Sequence, residues 1–236
     1  DDGSTLAIGA PLNDGNGIAS GHVRVFKNIN NTWTQVGSDI DGEAAGDQAN
    51  NISISGDGSV IAIGANLNDG NGIDSGHVRV FKNINSTWTQ IGSDIDGEAA
   101  GDNFGKSVAL SNDGSLIAIG AKYTKGENKI NSGYVKIFKD INGVWNQIGN
   151  NIEGESESDS FGGYTTSLSL SDDGQIVAIS GPKNDGNGID SGHVRVFKNI
   201  NNNWTQVGSD IDGEAAGDKS GSSVSLSSDG SVIAIG

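Results

Sequence analysis

An all-β propeller made of four-stranded blades is the fold class this sequence predicts, on three observations. First, the phrase Asp-Gly-Ser-x-x-Ala-Ile-Gly recurs with its first glycine at Gly3, Gly58, Gly114, Gly174 (as Asp-Gly-Gln) and Gly230, in steps of 55, 56, 60 and 56 residues. Tryptophan keeps the same beat at Trp33, Trp88, Trp145 and Trp204. Second, Ile and Val number 26 and 15 against 8 Leu and no Met, an apolar set that favours strands over helices. Third, the apolar residues fall in short alternating runs bounded by Asp-Gly and Asn-rich turns, without helical periodicity. Units of about this length with four strands match a propeller blade better than a β-solenoid coil, which is shorter. The repeats divide the chain into approximate units 1–47, 48–102, 103–159, 160–218 and a partial 219–236.

The elements follow in order within one unit. Ser107–Ser111 alternates, with Val108 and Leu110 on one face. Asn112-Asp113-Gly114-Ser115 reads as a tight type I′ hairpin turn, since Asp-Gly tolerates positive φ. Leu116–Ala121 is a continuous apolar run, as expected of a strand buried on both faces. A long Gly/Asn loop leads to a strand such as His77–Phe81, and an Asn-rich turn at 83–86 returns the chain into 87–91 around Trp88. An acidic loop, 93–102, closes the unit. One such meander has too little core to stand alone, so neighbours must stack on it.

Composition narrows the function. The 236 residues carry 30 acids and 14 bases, a net charge of −16, which argues against nucleic-acid binding and against docking on anionic lipid. Apolar runs fall short of a membrane span. Without cysteine there are no disulfides, no thiol catalysis and no Cys-ligated zinc. Ile, Val, Leu and Phe together reach 23% of the chain, above the ~20% below which a strongly charged chain is disordered. The start in mid-pattern and the lack of Met point to a piece of a longer polypeptide.

Phe104-Gly105-Lys106-Ser107-Val108-Ala109, then 117–121, then Gly133-Tyr134-Val135-Lys136-Ile137-Phe138 resemble the FG-GAP repeat. Gly9-Ala10-Pro11 supplies the literal GAP, and Phe161-Gly162 a second FG. That resemblance implies the seven-bladed propeller of integrin α-subunits and of many bacterial surface proteins, hence an incomplete stretch of a larger ring. It also implies an extracellular or cell-surface location. The family places a calcium loop between the first two strands of some blades. Here that connection is only Gly56-Asp57-Gly58 or its equivalents, too short to wrap an ion needing six to eight oxygens.

Three sets of residues are candidates for chemistry. The loop Asn68-Asp69-Gly70-Asn71-Gly72-Ile73-Asp74 recurs at 184–190, so Asp69, Asn71, Asp74, Asp185, Asn187 and Asp190 could hold calcium. The competing reading is a glycine-rich turn. The acidic loops hold 16 of the 30 acids, and on one face of a propeller they would form a negative ring, or plain solvated turns. The third unit alone has Lys122, Tyr123, Lys125 and Lys129 in its long loop, a basic patch suited to an acidic partner. Histidine occurs only at His22, His77 and His193, one repeat position, where packing is the expected role. Each tryptophan is expected to cover a blade.

The expected function is non-enzymatic: a secreted or cell-surface module for adhesion or protein interaction, binding protein or polysaccharide. The alternatives are a repetitive carbohydrate-binding, lectin-like propeller, and the non-catalytic part of a larger secreted enzyme.

Overall fold

The computed structural model describes the backbone of residues 3–123, 125–126 and 129–236, and the side chains of 3–123 and 131–236. All of its regular structure is β. The first sheet holds β1 (Thr5–Ala10), β2 (His22–Ile29), β3 (Thr32–Gln35) and the short β4 (Ile40–Asp41). The second holds β5 (Asn51–Ile54), β6 (Val60–Ala65), β7 (His77–Ile84), β8 (Thr87–Gln90) and β9 (Ile95–Asp96). The third runs through β10 (Phe104–Leu110), β11 (Leu116–Ala121), β14 (Tyr134–Ile141), β15 (Val144–Gln147) and β16 (Ile152–Glu153), with β12 (Lys125–Gly126) and β13 (Lys129–Ile130) as a small ribbon inside its long loop. The fourth holds β17 (Leu168–Leu170), β18 (Ile176–Gly181), β19 (His193–Ile200), β20 (Asn203–Gln206) and β21 (Ile211–Asp212). Strands β22 (Val224–Leu226) and β23 (Ile233–Ile235) form a last pair. Every ladder is antiparallel, and the outer edge is broken in two. In the second sheet β8 pairs with the far half of β7 while β9 pairs with His77 and Val78.

The core lies between the sheets, and the repeat phrase explains why. On β6, Ile61 and Ile63 face the first sheet, where they meet Val23 and Val25, with Phe81 of their own sheet in the same cluster. Val60 and Ala62 face the other way, against Ile117 and Ile119 of the third sheet. Leu116 and Ala118 then face Val177 and Ile179 of the fourth. The Ile-x-Ile face therefore fills the preceding interface, and the small alanine lets the next sheet approach. Leu6 and Ile8 of β1 hold the same places as Ile61 and Ile63 but are 45% and 48% exposed.

Close approach also fixes the glycines of the family phrase. A Cβ on Gly120 would sit 2.0 Å from the Gly162 carbonyl oxygen of the next sheet, and one on Gly64 would sit 2.1 Å from that of Gly105. Backbone bonds run from hairpin to hairpin at the inner ends: the amides of Gly56, Asn112 and Asp172 donate to the carbonyls of Asn112, Asp172 and Ser228 at 2.8–2.9 Å. At the outer ends, the indole N–H of Trp88, Trp145 and Trp204 donates to the carbonyls of Val36, Ile91 and Ile148 in the preceding sheet, at 2.8–3.0 Å. The tryptophans thus clamp neighbouring blades together.

Two turn assignments change places. In the Asp-Gly hairpins only the glycine is left-handed, with φ of 65–70° at Gly58, Gly114, Gly174 and Gly230. That is a longer turn ending in a left-handed residue rather than type I′. The type I′ signature, positive φ at both central residues, lies instead at Asn30-Asn31, Asn85-Ser86, Asn142-Gly143 and Asn201-Asn202. Asparagine tolerates that conformation, which is why these turns are Asn-rich.

Candidate functional site

In the first, second and fourth blades two loops meet on one face of the molecule: the long loop between the second and third strands, and the acidic loop leading to the next blade. They are sewn together. Asn16 Nδ2 donates to the Gly42 and Glu43 carbonyls at 3.0 and 2.8 Å, and Asn71 and Asn187 reach Gly97 and Gly213 at 2.9 Å. The amides of Gly46, Gly101 and Gly217 return to the carbonyls of Ile18, Ile73 and Ile189. This stitching leaves Ile18, Ile73 and Ile189 standing out from the face, each about three-quarters exposed.

The candidate calcium loops use their side chains for this framework. Asp69 Oδ1 accepts the Asp74 amide at 2.9 Å, and Asp185 Oδ1 accepts that of Asp190 at 2.8 Å, closing each loop on a left-handed residue. Asp14 does the same for the Ala19 amide in the copy that lacks the last acid. The loop therefore reaches one shape with or without the acid at its end. The amides of Asn71 and Asn187 are directed to the adjacent loop rather than into a common cage. In each loop one aspartate oxygen and the asparagine side-chain amide are thus engaged in holding the loop itself.

The acidic loops are likewise only partly a charged rim. Asp47, Asp102 and Asp159 turn inward and are buried. Their Oδ2 atoms accept the amides of Ala44, Ala99 and Ser156 at 2.8–3.0 Å. The same oxygens accept from Asn68, Tyr134 and Asn184. Burial raises the pKa of Asp102 despite these bonds. His77 and His193 are fully buried, and burial lowers their pKa below the usual 6.5.

The third blade differs on this face. Lys122 leaves the end of β11, and its ammonium lies 4.9 Å from the centre of the Tyr123 ring and 6.0 Å from that of Tyr164. Lys106 sits beside it on β10, where the register slips between Phe104 and Ser107. Such a bulge re-aims a side chain. Partial burial, and then the charge of Lys122, push the Lys106 pKa below its usual 10.5. Two lysines that repel one another and two tyrosines thus meet on a chain of charge −16. Of the four residues expected at this patch, Lys122 and Tyr123 are found there, whereas the side chains of Lys125 and Lys129 lie outside the described residues. Lys106 and Tyr164 were not legible as members, because strand pairing and a neighbouring blade bring them in from 16 and 42 residues away.

Residues 94–138, the end of the second blade and most of the third, match the FG-GAP repeat. The chain has a β-propeller fold, with a stretch similar to the FG-GAP repeat at 94–138. Among solved structures it is similar to hydrazine synthase of Kuenenia stuttgartiensis (12% identity, TM-score 0.58), covering 99% of this chain and 68% of that one. The periplasmic gluconolactonase of Pseudomonas aeruginosa aligns over 99% of this chain and 54% of its own, at 16% identity and TM-score 0.57. A 6-phosphogluconolactonase-like protein of Bacteroides uniformis aligns over 81% and 48%, at 15% identity and TM-score 0.55. The chain thus spans about half the length of the two lactonase-type structures. At these identities the likeness is one of fold. No curated protein matches the sequence. Phe104, within the matched stretch, and Phe161 are both buried and followed by glycine, and no described helix is long and apolar enough to cross a membrane.

Proposed function

We propose that this propeller is a non-enzymatic interaction module of a secreted or cell-surface protein, and that it docks an acidic partner, protein or polysaccharide, on its loop face. The observation that carries the reading is the Lys106–Lys122 pair flanked by Tyr123 and Tyr164 on a strongly acidic chain. An anion at that point relieves the repulsion between the two ammonium groups, and the remaining negative surface turns away partners of the wrong sign. Tyrosine adds flat, half-apolar area at low entropic cost, as recognition surfaces do. FG-GAP repeats are typical of extracellular proteins, which supports the location. The lectin-like alternative, with one aromatic site per blade, is weakened because three of the four tryptophans already bond the preceding blade.

The test is binding of two probes, polygalacturonate and poly-glutamate, to the wild type and to Lys106→Ser/Lys122→Ser, at low and physiological salt. Binding that weakens with salt and falls at least tenfold in the variant supports the reading. Binding unchanged in the variant moves the site to the loops that all blades share.

A further inference from the structure

The buried histidines have surroundings that packing alone does not explain. His193 is fully buried, and neither of its ring nitrogens has a hydrogen-bond partner. Its Nδ1 faces Asp210 Oδ2 at 3.6 Å, beyond hydrogen-bonding reach. Glu155, from the acidic loop of the preceding blade, brings a carboxylate oxygen to the same point, and the three ligand atoms lie within 4.8 Å of one another. The second blade repeats the arrangement. His77 Nδ1 lies 3.8 Å from both Glu43 Oε2 and Asp94 Oδ2, and His77 Nε2 is buried without a partner.

The other oxygens of these carboxylates are already held. Gln206 donates to Asp210 Oδ1 and Gln90 to Asp94 Oδ1, both at 2.6 Å. Arg195 lies 3.4 Å from Glu155 Oε1, and Arg79 lies 3.6 Å from Glu43 Oε1. Glu43, Asp94 and Asp210 thus each have one anchored oxygen and the other facing an imidazole, the arrangement that outer partners impose on metal ligands. Two carboxylates and one guanidinium leave each cluster a charge of −1 for an incoming cation to neutralise.

The geometry points to two transition-metal sites, Glu43/His77/Asp94 and Glu155/His193/Asp210, each binding a zinc-like divalent ion across a blade interface. One imidazole with two carboxylates suits zinc and its neighbours rather than calcium or magnesium. Three protein ligands leave a fourth position for water. Zinc bonds of ~2.0–2.2 Å require the ligand atoms to close in by roughly 1 Å. Glu43 and Glu155 sit on exposed loops that can supply this movement. The neutral imidazole is the form that ligates a metal, so uptake is expected to fall in acid.

The third blade serves as an internal contrast. There Tyr134, Lys136 and Asn151 stand where the other two have His, Arg and Asp, although the preceding loop still offers Glu98. Lys136 pairs directly with Glu98, and the Tyr134 hydroxyl donates to Asp102 at 3.1 Å. The third blade thus lacks two of the three ligand positions, the histidine and the aspartate, and keeps only the glutamate, paired with Lys136. In the first blade His22 meets Asp39 and Asp41 of its own sheet at 3.5 and 4.0 Å, and no glutamate from another blade joins them among the described residues.

The experiment is equilibrium dialysis of the chelator-stripped chain against micromolar Zn²⁺, with Co²⁺ as a spectroscopic probe. The wild type should take up about two ions, one for each cluster, and its melting temperature should rise with zinc concentration. Glu43→Gln/Glu155→Gln changes only exposed loop side chains, so the fold is kept, and its affinity should fall about tenfold or more. His77→Asn/His193→Asn should abolish uptake and the visible cobalt absorption, while Asp69→Ala/Asp185→Ala should leave both unchanged. No uptake by the wild type, or full uptake by a folded Glu43→Gln/Glu155→Gln chain, would overturn the assignment.

Discussion

Asp57, Asp113, Asp173 and Asp229 hold one repeat position, and each carboxylate accepts the amide two residues on at 2.9–3.0 Å together with nearby serine hydroxyls. At Asp229 the Ser231 amide and then the Ser231 and Ser227 hydroxyls bring the pKa down to about 2. At Asp57 and Asp113 partial burial acts against such bonds, yet the bonds prevail and the pKa is lowered. Groups lowered in the folded state contribute stability above their unfolded pKa and lose it as pH falls through the folded one. These turns therefore weaken below pH 3.8. His77 and His193 act in the same direction at a higher window, because the unfolded chain binds protons near pH 6.5 that the folded chain refuses. For His77 burial and then Arg79 oppose the charge, while Asp94, Glu43 and Asp47 favour it; for His193 burial and Arg195 oppose it against Asp159, Asp210 and Glu155. Asp96 and Asp102, raised chiefly by burial, run the other way and offset part of the loss near pH 3.8. Urea midpoints measured from about pH 7 down to 5.5 should fall in the wild type and fall less in His77→Gln/His193→Gln. Parallel curves for the two proteins would remove the histidines from the acid response.

At the scale of the element, the strand after each Asp-Gly turn was legible because Ile-x-Ile with alanine between gives each face a different size. The turn types were not, since Asp-Gly is compatible with more than one hairpin and only φ separates them. The tryptophan beat was visible, but its partner was not: each indole bonds a carbonyl 52–56 residues earlier, across an interface that sequence spacing does not reveal. Trp145→Phe removes that bond and leaves the Ile91 carbonyl without its donor, at a cost of about 1–3 kcal/mol in denaturant unfolding. Trp33, half exposed on the first sheet, should cost less in the same assay. Gly120→Ala places a methyl against the Gly162 carbonyl and should destabilise by about 1–3 kcal/mol. The same change at Gly46, where a Cβ meets nothing within 4 Å, tests backbone strain alone, since φ there is +92°.

Across the whole molecule, the repeat made the fold readable and hid the candidate sites. Near-identical blades announce their shared framework, so the Asp-Asn-Gly loops drew attention as metal loops although their side chains close turns and join loops. The groups with unusual surroundings are assembled between blades. Lys106 meets Lys122 through a bulged strand, Tyr164 arrives from the next blade, and Glu43 reaches His77 from the blade before. No linear motif spans such distances. What the sequence did show was that the third unit departs from its siblings, and the structure places that departure on the face where the loops gather. The most direct measurement of the central claim is amide chemical-shift mapping of the chain titrated with polygalacturonate. The account predicts shifts concentrated at Lys106, Lys122, Tyr123 and 163–164, fading as salt is raised. Shifts spread equally over the loops carrying Ile18, Ile73 and Ile189, with 106 and 122 silent, would contradict it.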